Sequence, residues 1–197
     1  IPAGAVGVMT GDRLTMVSVD GGVYRIEPGD DDANRIGTVA VPTSAVIEWV
    51  RPTNRGERLV VGGATFEAVV DLDGRTLFTT TFPSAVEAVA ADPLWRCLPL
   101  GGPDGFHSII DLDTGEQLAD LTGVERVLGT SADGCVVLAV RSDAAELIGP
   151  DGTAVIGTFE SAVLGPDGAS VVRVDADGTT ELLTVDAETL VTQADIV

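Results

Sequence analysis

Three glutamates are the candidates for acid–base chemistry in this sequence: Glu48, Glu87 and Glu125. Glycoside hydrolysis uses two carboxyl groups, one as the acid and the other as the base or nucleophile. Enzymes of this kind usually carry long loops that build a substrate cleft, whereas the connections between the apolar segments here are short. The sequence therefore favours a protein without enzymatic activity, and a glycoside-processing enzyme or a glycan-binding lectin is the alternative.

Tryptophan and arginine stand together twice, as Trp49 with Arg51 and as Trp95 with Arg96. Both residue types are enriched at the positions that dominate binding energy in protein–protein interfaces. Each pair lies at the end of a predicted strand, so we predict that the pairs belong to a recognition surface. The alternative is that each indole packs in the interior between neighbouring sheets.

Cys97 and Cys135 are the only cysteines, and each lies near the second strand of a predicted repeat unit. A bond between them closes a loop of about 38 residues, which stabilises a fold by roughly 3 to 4 kcal/mol on the chain-entropy model. We predict this disulfide, which implies an oxidising, extracytoplasmic compartment. The alternative is a pair of buried free thiols in a cytosolic core. Two thiols without clustered histidines do not predict a zinc site.

Metal and nucleophilic chemistry have little support elsewhere in the sequence. His107 is the only histidine, so a Ser-His-Asp or Cys-His relay would require it, and we expect it at the surface or rim. The aspartate-rich segments 29–32, 71–74 and 175–178 offer oxygen ligands for Ca²⁺, but none completes an EF-hand loop. We predict that they are hairpin turns and that the protein binds neither a metal ion nor a cofactor.

The charge of the chain excludes more partners than it identifies. With 31 acidic residues against 11 basic ones, all of them arginine, the net charge is −20. Nucleic acid and anionic membrane surfaces are not expected as partners, because binding to either requires concentrated positive charge. No apolar stretch is long enough to span a bilayer, and a signal, lipid-anchored stalk or membrane segment ahead of Ile1 is compatible with this start.

A repeat of about 40 residues organises the chain. The tripeptide that begins at Gly4 returns as Ser-Ala-Val at Ser44, Ser84 and Ser161, and Val124 fills the missing place. A second marker, an apolar pair leading into an acidic or glycine-containing turn, recurs five times in the same register. The markers predict five units in a single domain. Their approximate bounds are 3–42, 43–83, 84–122, 123–160 and 161–197.

Each unit is predicted to be a four-stranded antiparallel meander. Hydrophobic residues make up 45% of the chain and aromatic ones only 4%, so the core must be rich in Val, Leu and Ala, and Val favours strands. The apolar runs are short and end at turn signals, among which Asp-Gly pairs supply the positive φ of tight hairpins. In the fourth unit, strands are predicted at 124–129, 135–140, 145–149 and 153–159.

A single meander is not stable alone, because both of its faces need cover, so neighbouring units must pack face to face. Packing around a central axis predicts an all-β fold, a single five-bladed β-propeller, with a β-solenoid as the runner-up. Five units predict a ring that closes within the chain by contact between the first and fifth blades. The alternative is part of a larger propeller.

The segment 109–116, Ile-Ile-Asp-Leu-Asp-Thr-Gly-Glu, resembles the turn between the third and fourth strands of blades in the broad WD40, YVTN and PQQ-binding quinoprotein superfamily. Segment 69–74 is a degenerate copy. The resemblance implies a β-propeller and no particular function, because the motif is a structural turn. The sequence lacks the Gly-His and Trp-Asp signature of WD40 blades and the tryptophan docking motif of quinoproteins. Pyrroloquinoline quinone is therefore not expected as a cofactor.

Together these features predict a non-enzymatic binding or scaffold domain that presents a rigid surface to another protein or to a cell-envelope component. We expect a bacterial protein that is secreted, periplasmic or anchored to the envelope, and that is monomeric or part of a hetero-complex. In the glycan-binding or glycoside-processing alternative, the three glutamates would line a central funnel.

Overall fold

The computed structural model describes residues 4–43, 45–81, 94–102, 105–186 and 192–196. Within these ranges the chain is all β, apart from a short 3-10 helix at Asn54–Gly56. It divides into two compact units, the first built mainly from residues up to Arg96 together with 112–115, and the second from most of the remainder. No helix in the described ranges is long and apolar enough to cross a membrane.

The first unit contains two four-stranded antiparallel meanders, each with its strands in sequence order. The strands of the first sheet are β1 (Val6–Thr10), β2 (Arg13–Val17), β3 (Gly22–Ile26) and β4 (Asn34–Thr38). Those of the second sheet are β5 (Trp49–Thr53), β6 (Arg58–Gly63), β7 (Phe66–Asp71) and β8 (Thr76–Thr81). Because the order follows the sequence, β5 is an edge strand of its sheet.

The two sheets of the first unit share one apolar core. Val17 and Val23 of the first sheet pack with Leu59, Phe66 and Val70 of the second, and all five are fully buried. Burying side chains of this size stabilises a fold by about 1.5 to 3 kcal/mol each, which is why meanders that are unstable alone hold together as a pair.

Two glycines let the backbones of these sheets touch. A Cβ on Gly37 would lie 2.0 Å from the carbonyl oxygen of Gly74, and Thr38 forms an isolated parallel bridge with Arg75. Gly74 has a φ of +81°, as the sequence predicts for the second residue of an Asp-Gly turn. Gly134, Gly152 and Gly178, which follow aspartates in three further predicted hairpin turns, also have positive φ.

The second unit contains three further antiparallel sheets. The third sheet shows three strands, β9 (Cys97–Gly102), β10 (Gly105–Asp111) and β11 (Gln117–Asp120), and the first strand predicted for this repeat lies outside the described residues. The fourth sheet is β12 (Arg126–Thr130), β13 (Val137–Arg141), β14 (Ala144–Gly149) and β15 (Gly152–Gly157). The fifth is β16 (Ser161–Leu164), β17 (Ser170–Val174), β18 (Thr180–Val185) and β19 (Thr192–Ile196).

The four strands predicted in the fourth repeat are confirmed, and no boundary differs by more than two residues. The all-β class and the antiparallel four-stranded unit are confirmed as well. Closure of a ring by contact between the first and fifth sheets stays a prediction, as do the single-domain boundaries.

The sheets of the second unit are joined by apolar cores and by a disulfide. Ile109 of the third sheet and Val137 of the fourth are fully buried in the core between these sheets. In the same core, Cys97 and Cys135 form a disulfide with a Cα–Cα distance of 4.8 Å, which confirms the predicted pairing. A second core lies between the fourth and fifth sheets and includes Leu138.

Candidate functional site

Trp49 and Arg51 share one face of the edge strand β5, because side chains two residues apart in a strand point the same way. The guanidinium carbon of Arg51 lies 5.8 Å from the centre of the Trp49 ring, which is within cation–π range. Both side chains are half-buried. This pair places an apolar ring and a positive charge side by side.

The position of the Trp49 ring depends on a glycine. Gly62 lies directly opposite Trp49 on the neighbouring strand β6. A Cβ on Gly62 would lie 2.0 Å from Cζ2 and 2.2 Å from Cε2 of Trp49, so the indole rests directly on the glycine. Any larger residue at position 62 would push the ring away from the sheet.

A buried glutamate shares this face of the second sheet. Glu67 of β7 lies opposite Gly62 on one side and Thr80 on the other, and opposed residues of neighbouring strands point to the same face. Only 2% of Glu67 is exposed, and within the described part of the chain neither carboxyl oxygen has a hydrogen-bond partner. Burial raises the pKa of Glu67 to about 7, because a charged carboxylate is poorly solvated there.

Arg51 carries a second unsatisfied group on this face. Its Nε is buried and has no hydrogen-bond partner among the described residues. Arg51 lies opposite Val60 of β6, and Val60 lies opposite Val69 of β7. The side chains next to Arg51 across the sheet are therefore apolar. The face thus combines an aromatic ring, a cation and a carboxyl group on an apolar base. Val60, Val69 and Glu67 are buried, so the accessible part of this face is formed by the half-buried Trp49 and Arg51 on the edge strand.

The second tryptophan–arginine pair is arranged differently. Trp95 is only 8% exposed, while Arg96 is exposed. The carbonyl oxygen of Arg96 accepts a hydrogen bond from the Leu112 N–H at 3.0 Å, and that of Trp95 accepts one from the Asn54 N–H. The position of Trp95 fits the alternative interpretation, in which the indole packs in the interior. We therefore leave Trp95 and Arg96 out of the candidate binding face.

Two of the three glutamates of the glycosidase alternative, Glu48 and Glu125, lie in the part of the chain that the structure describes. Glu48 directly precedes β5 and Glu125 directly precedes β12, and both are exposed. Oε1 of Glu125 accepts a hydrogen bond from the Ser142 N–H at 3.2 Å. Glu87 lies outside the described residues. A glutamate-lined site therefore stays a prediction.

In two of the aspartate segments considered for Ca²⁺, the carboxylates accept hydrogen bonds from backbone N–H groups of their own turns. Oδ1 of Asp71 accepts the backbone N–H groups of Asp73 at 3.0 Å and Arg75 at 2.9 Å. The N–H of Thr179 donates to Asp177 and lowers the pKa of that carboxyl group. His107 is half-buried in β10. In the ranges described, no three His, Cys, Asp or Glu side chains are grouped to hold a metal ion.

Sequence reasoning missed Gly62 and Glu67. Glu67 is the one charged residue within the apolar run from Phe66 to Val70, and a charged residue inside such a run is the signal that would have identified it. Gly62 has no comparable signal, because its role depends on the register between β5 and β6.

No protein-family model matches this chain, and no curated protein sequence is similar to it. Among solved structures, a eukaryotic initiation factor is 10% identical with a TM-score of 0.56, and covers 94% of this chain and 52% of its own. The C-terminal WD40 domain of Sif2 is 9% identical with a TM-score of 0.54, covering 87% and 54%. The computationally designed Ika8 protein is 16% identical with a TM-score of 0.51, covering 91% and 57%.

These likenesses concern the fold alone, because the identities are low. Together with the repeated antiparallel sheets, they confirm the predicted β-propeller fold. This chain spans little more than half the length of the three structures, between 52% and 57%.

Proposed function

We propose that this β-propeller is a non-enzymatic protein-interaction domain that binds its partner through the face formed by Trp49 and Arg51. The observation that carries the proposal is the geometry of this pair, in which an aromatic ring and a guanidinium group lie 5.8 Å apart on an edge strand. Trp and Arg are the residues most enriched among interface hot spots, and rigid presentation lowers the entropic cost of binding.

The surroundings of the pair suit the recognition of a partner main chain or carboxylate. Arg51 is half-buried, so a carbonyl or carboxylate oxygen of a partner at the edge strand can accept a hydrogen bond from the accessible part of its guanidinium group. The exposed Glu48 next to Trp49 supplies a polar rim. The C-terminal WD40 domain of Sif2, which has the same fold, supports an interaction domain in general.

Affinity capture with a matched pair of variants tests this proposal. The immobilised wild-type chain, Arg51→Ala and Arg13→Ala are exposed to a cell-envelope extract, and the captured proteins are quantified by mass spectrometry. Arg13→Ala is the control, because it removes the same charge from the first sheet, where Arg13 makes an exposed ion pair with Glu27. We expect one or more proteins to be captured by the wild type and by Arg13→Ala, and to be lost with Arg51→Ala.

Equal capture by all three chains would contradict the proposed face. A glycan array distinguishes the alternative function: binding or cleavage of a glycan that is lost in Glu48→Gln or Glu125→Gln, with no protein captured, would replace the interaction domain by a glycan-directed one.

We also propose that the protein acts outside the bacterial cytoplasm, on a protein or a cell-envelope component. The Cys97–Cys135 disulfide supports this setting, because disulfides persist mainly in oxidising compartments. Alkylation of thiols at the moment of cell lysis, followed by intact mass measurement, tests it. We expect an unalkylated chain that is two hydrogens lighter than the reduced one, and two alkylated thiols would place the protein in a reducing compartment.

A further inference from the structure

An apolar groove opens between the fourth and fifth sheets of the second unit. Val136, Leu147 and Ala154 line it from the fourth sheet, and Ala169 and Val185 line it from the fifth. Its volume is about 60 Å³. Pockets for small-molecule ligands usually measure about 300 to 1,000 Å³, so this groove has room for a side chain and not for a whole ligand of that kind.

The groove exists because its walls are built from the smallest residues. Gly149, Gly152 and Gly168 line it beside the two alanines. Gly152 has a φ of +131° and Gly168 a φ of +73°, conformations that strain any larger residue. A Cβ on Gly149 would lie 3.0 Å from Cγ2 of Val136. The backbone itself therefore keeps this space open.

Backbone hydrogen bonds hold the two walls in place. The N–H of Ala132, in the turn before β13, donates to the carbonyl oxygen of Pro166, in the turn before β17, at 3.0 Å. The N–H of Val185 donates to the carbonyl oxygen of Ala169 at 2.9 Å. The groove is thus formed before any partner arrives, which lowers the entropic cost of occupying it.

The turns around the groove are acidic. Asp133, Asp151 and Asp167 lie in them, and no arginine occurs in the segments 129–137, 148–153 and 164–170. Asp151 lines the groove, is exposed, and has no partner in the described part of the chain. The Ser170 hydroxyl and the N–H groups of Ala169 and Ser170 donate hydrogen bonds to the Asp167 carboxylate, and these bonds lower the pKa of Asp167.

We propose that this groove captures a small apolar side chain from a basic segment of a partner protein, with an arginine or lysine of that segment paired to Asp151. The inference rests on the proposed interaction function and adds a second site that selects for a different chemistry from the Trp49 and Arg51 face. The apolar walls favour an apolar side chain inside the groove. The acidic turns around it, in a chain of net charge −20, favour a partner segment that is positively charged.

Peptide binding tests the proposal directly. The probes are labelled nonapeptides with a central valine or leucine flanked by arginines, and the same peptides with a central serine, titrated against the purified 197-residue chain by fluorescence anisotropy. We expect the apolar-centred peptides to bind at least about tenfold more tightly than the serine-centred ones, and the affinity to fall as salt is added. Amide NMR shifts on binding should concentrate at Gly152, Gly168 and Ala169.

Matched variants separate the groove from general charge attraction. Asp151→Lys removes the ionic contact and Ala169→Leu fills the groove from a half-buried position, so each should weaken binding about tenfold. Asp73→Lys is the control, because Asp73 lies in the corresponding Asp-Gly turn of the second sheet and changes the charge equally. We expect Asp73→Lys to retain nearly all the affinity.

Three results would overturn the inference. Equal binding of valine-centred and serine-centred peptides, or equal weakening by Asp73→Lys, would reduce the interaction to nonspecific charge attraction. Concentration-dependent dimerisation that Ala169→Leu abolishes, measured by sedimentation, would make a second copy of the chain the occupant. These results leave the proposed function untouched, because it is tested by capture of a partner that depends on Arg51, and that capture does not require the groove.

Discussion

Glu67 is the residue whose surroundings conflict most with its chemistry. Its carboxyl group is buried on an apolar sheet face with no hydrogen-bond partner among the described residues, and an isolated charge in such a place is strongly disfavoured. The molecule tolerates this because the group is easily neutralised: burial raises its pKa to about 7 from an ordinary value of 4.5. Glu67 therefore changes its charge close to neutral pH.

Glu67 should make the folded state less stable as the pH rises. The folded state binds the Glu67 proton more tightly than the unfolded chain does, so this contribution is fully present below pH 4.5 and is lost as the pH rises through about 7. The shift corresponds to about 3 kcal/mol. Urea unfolding between these limits should show Glu67→Gln gaining stability relative to the wild type by up to that amount, as an order of magnitude.

The control for this prediction is Glu57→Gln, which changes an exposed glutamate in the same unit. Its unfolding free energy should follow that of the wild type at every pH. Parallel curves for Glu67→Gln and the wild type would show that Glu67 keeps the same proton affinity in both states, and would contradict the burial argument.

The sequence could predict some of these residues and not others. Trp49 and Arg51 were named as candidates because tryptophan and arginine are enriched in interface hot spots and stand together at the end of a predicted strand, and their binding role stays a prediction. Trp95 was placed on the same surface by the same argument, yet it is buried, because a dipeptide carries no information about which face of an element is covered. Glu67 was missed, because a strand that is buried on both faces shows no alternation of polar and apolar residues. Without that alternation, the sequence does not indicate that the Glu67 side chain is buried.

At the scale of the element, the candidate face depends on the register of β5 with β6. Trp49 faces Gly62 in this register, and a shift by one residue would move the indole to the opposite face of the sheet. The two hydrophobic markers of the repeat predict that each meander exists, but they do not predict this pairing. The register follows from the buried residues on the other face of the sheet, such as Leu59 and Val61.

Gly62→Ala should displace the Trp49 ring. The new methyl group would lie 2.0 Å from a ring atom, so the indole must move, at a cost of about 1 to 3 kcal/mol in unfolding free energy and with a change in tryptophan fluorescence. Gly129→Ala is the matched control, because a Cβ at this strand glycine would meet nothing closer than Leu164 Cβ at 3.7 Å. Unchanged fluorescence in Gly62→Ala would contradict the contact.

The disulfide is the strongest link between two elements of the second unit. It joins the start of β9 to the turn before β13, and its two cysteines are 38 positions apart in the sequence. Opening a loop of this length should lower the unfolding free energy by about 4 kcal/mol on the chain-entropy model. Thermal melts with and without reductant measure this loss, and the double variant Cys97→Ser/Cys135→Ser should melt at the reduced temperature whether or not reductant is present. A melting temperature that reductant does not change would contradict the prediction.

At the scale of the whole molecule, the repeat made the architecture predictable. One meander has two faces to cover, so a sequence that repeats the meander also indicates face-to-face packing, and the propeller fold follows from it. The same reasoning could not predict the groove between the fourth and fifth sheets. The groove depends on glycines and alanines that come from two different sheets, and on hydrogen bonds such as that from the Ala132 N–H to the Pro166 carbonyl oxygen.

The net charge of −20 should itself reduce the stability of the folded chain, because compaction brings like charges together. Ion pairs such as that between Arg58 and Asp113, at 2.7 Å, act in the opposite direction, but partly exposed pairs contribute only about 0 to 1 kcal/mol each. Repulsion should therefore prevail, and added NaCl should raise the melting temperature, since the screening length falls from about 30 Å at 0.01 M to about 3 Å at 1 M.

The exposed run Asp30, Asp31 and Asp32 allows this balance to be measured at one place. Replacing all three by asparagine removes three negative charges without touching a buried side chain, so the variant should melt at a higher temperature than the wild type in dilute buffer. Because salt screens the same repulsion, the two melting temperatures should converge as NaCl is added. If the difference between them persisted at high salt, its cause would be local turn conformation, and if salt lowered both melting temperatures, the ion pairs would outweigh the repulsion.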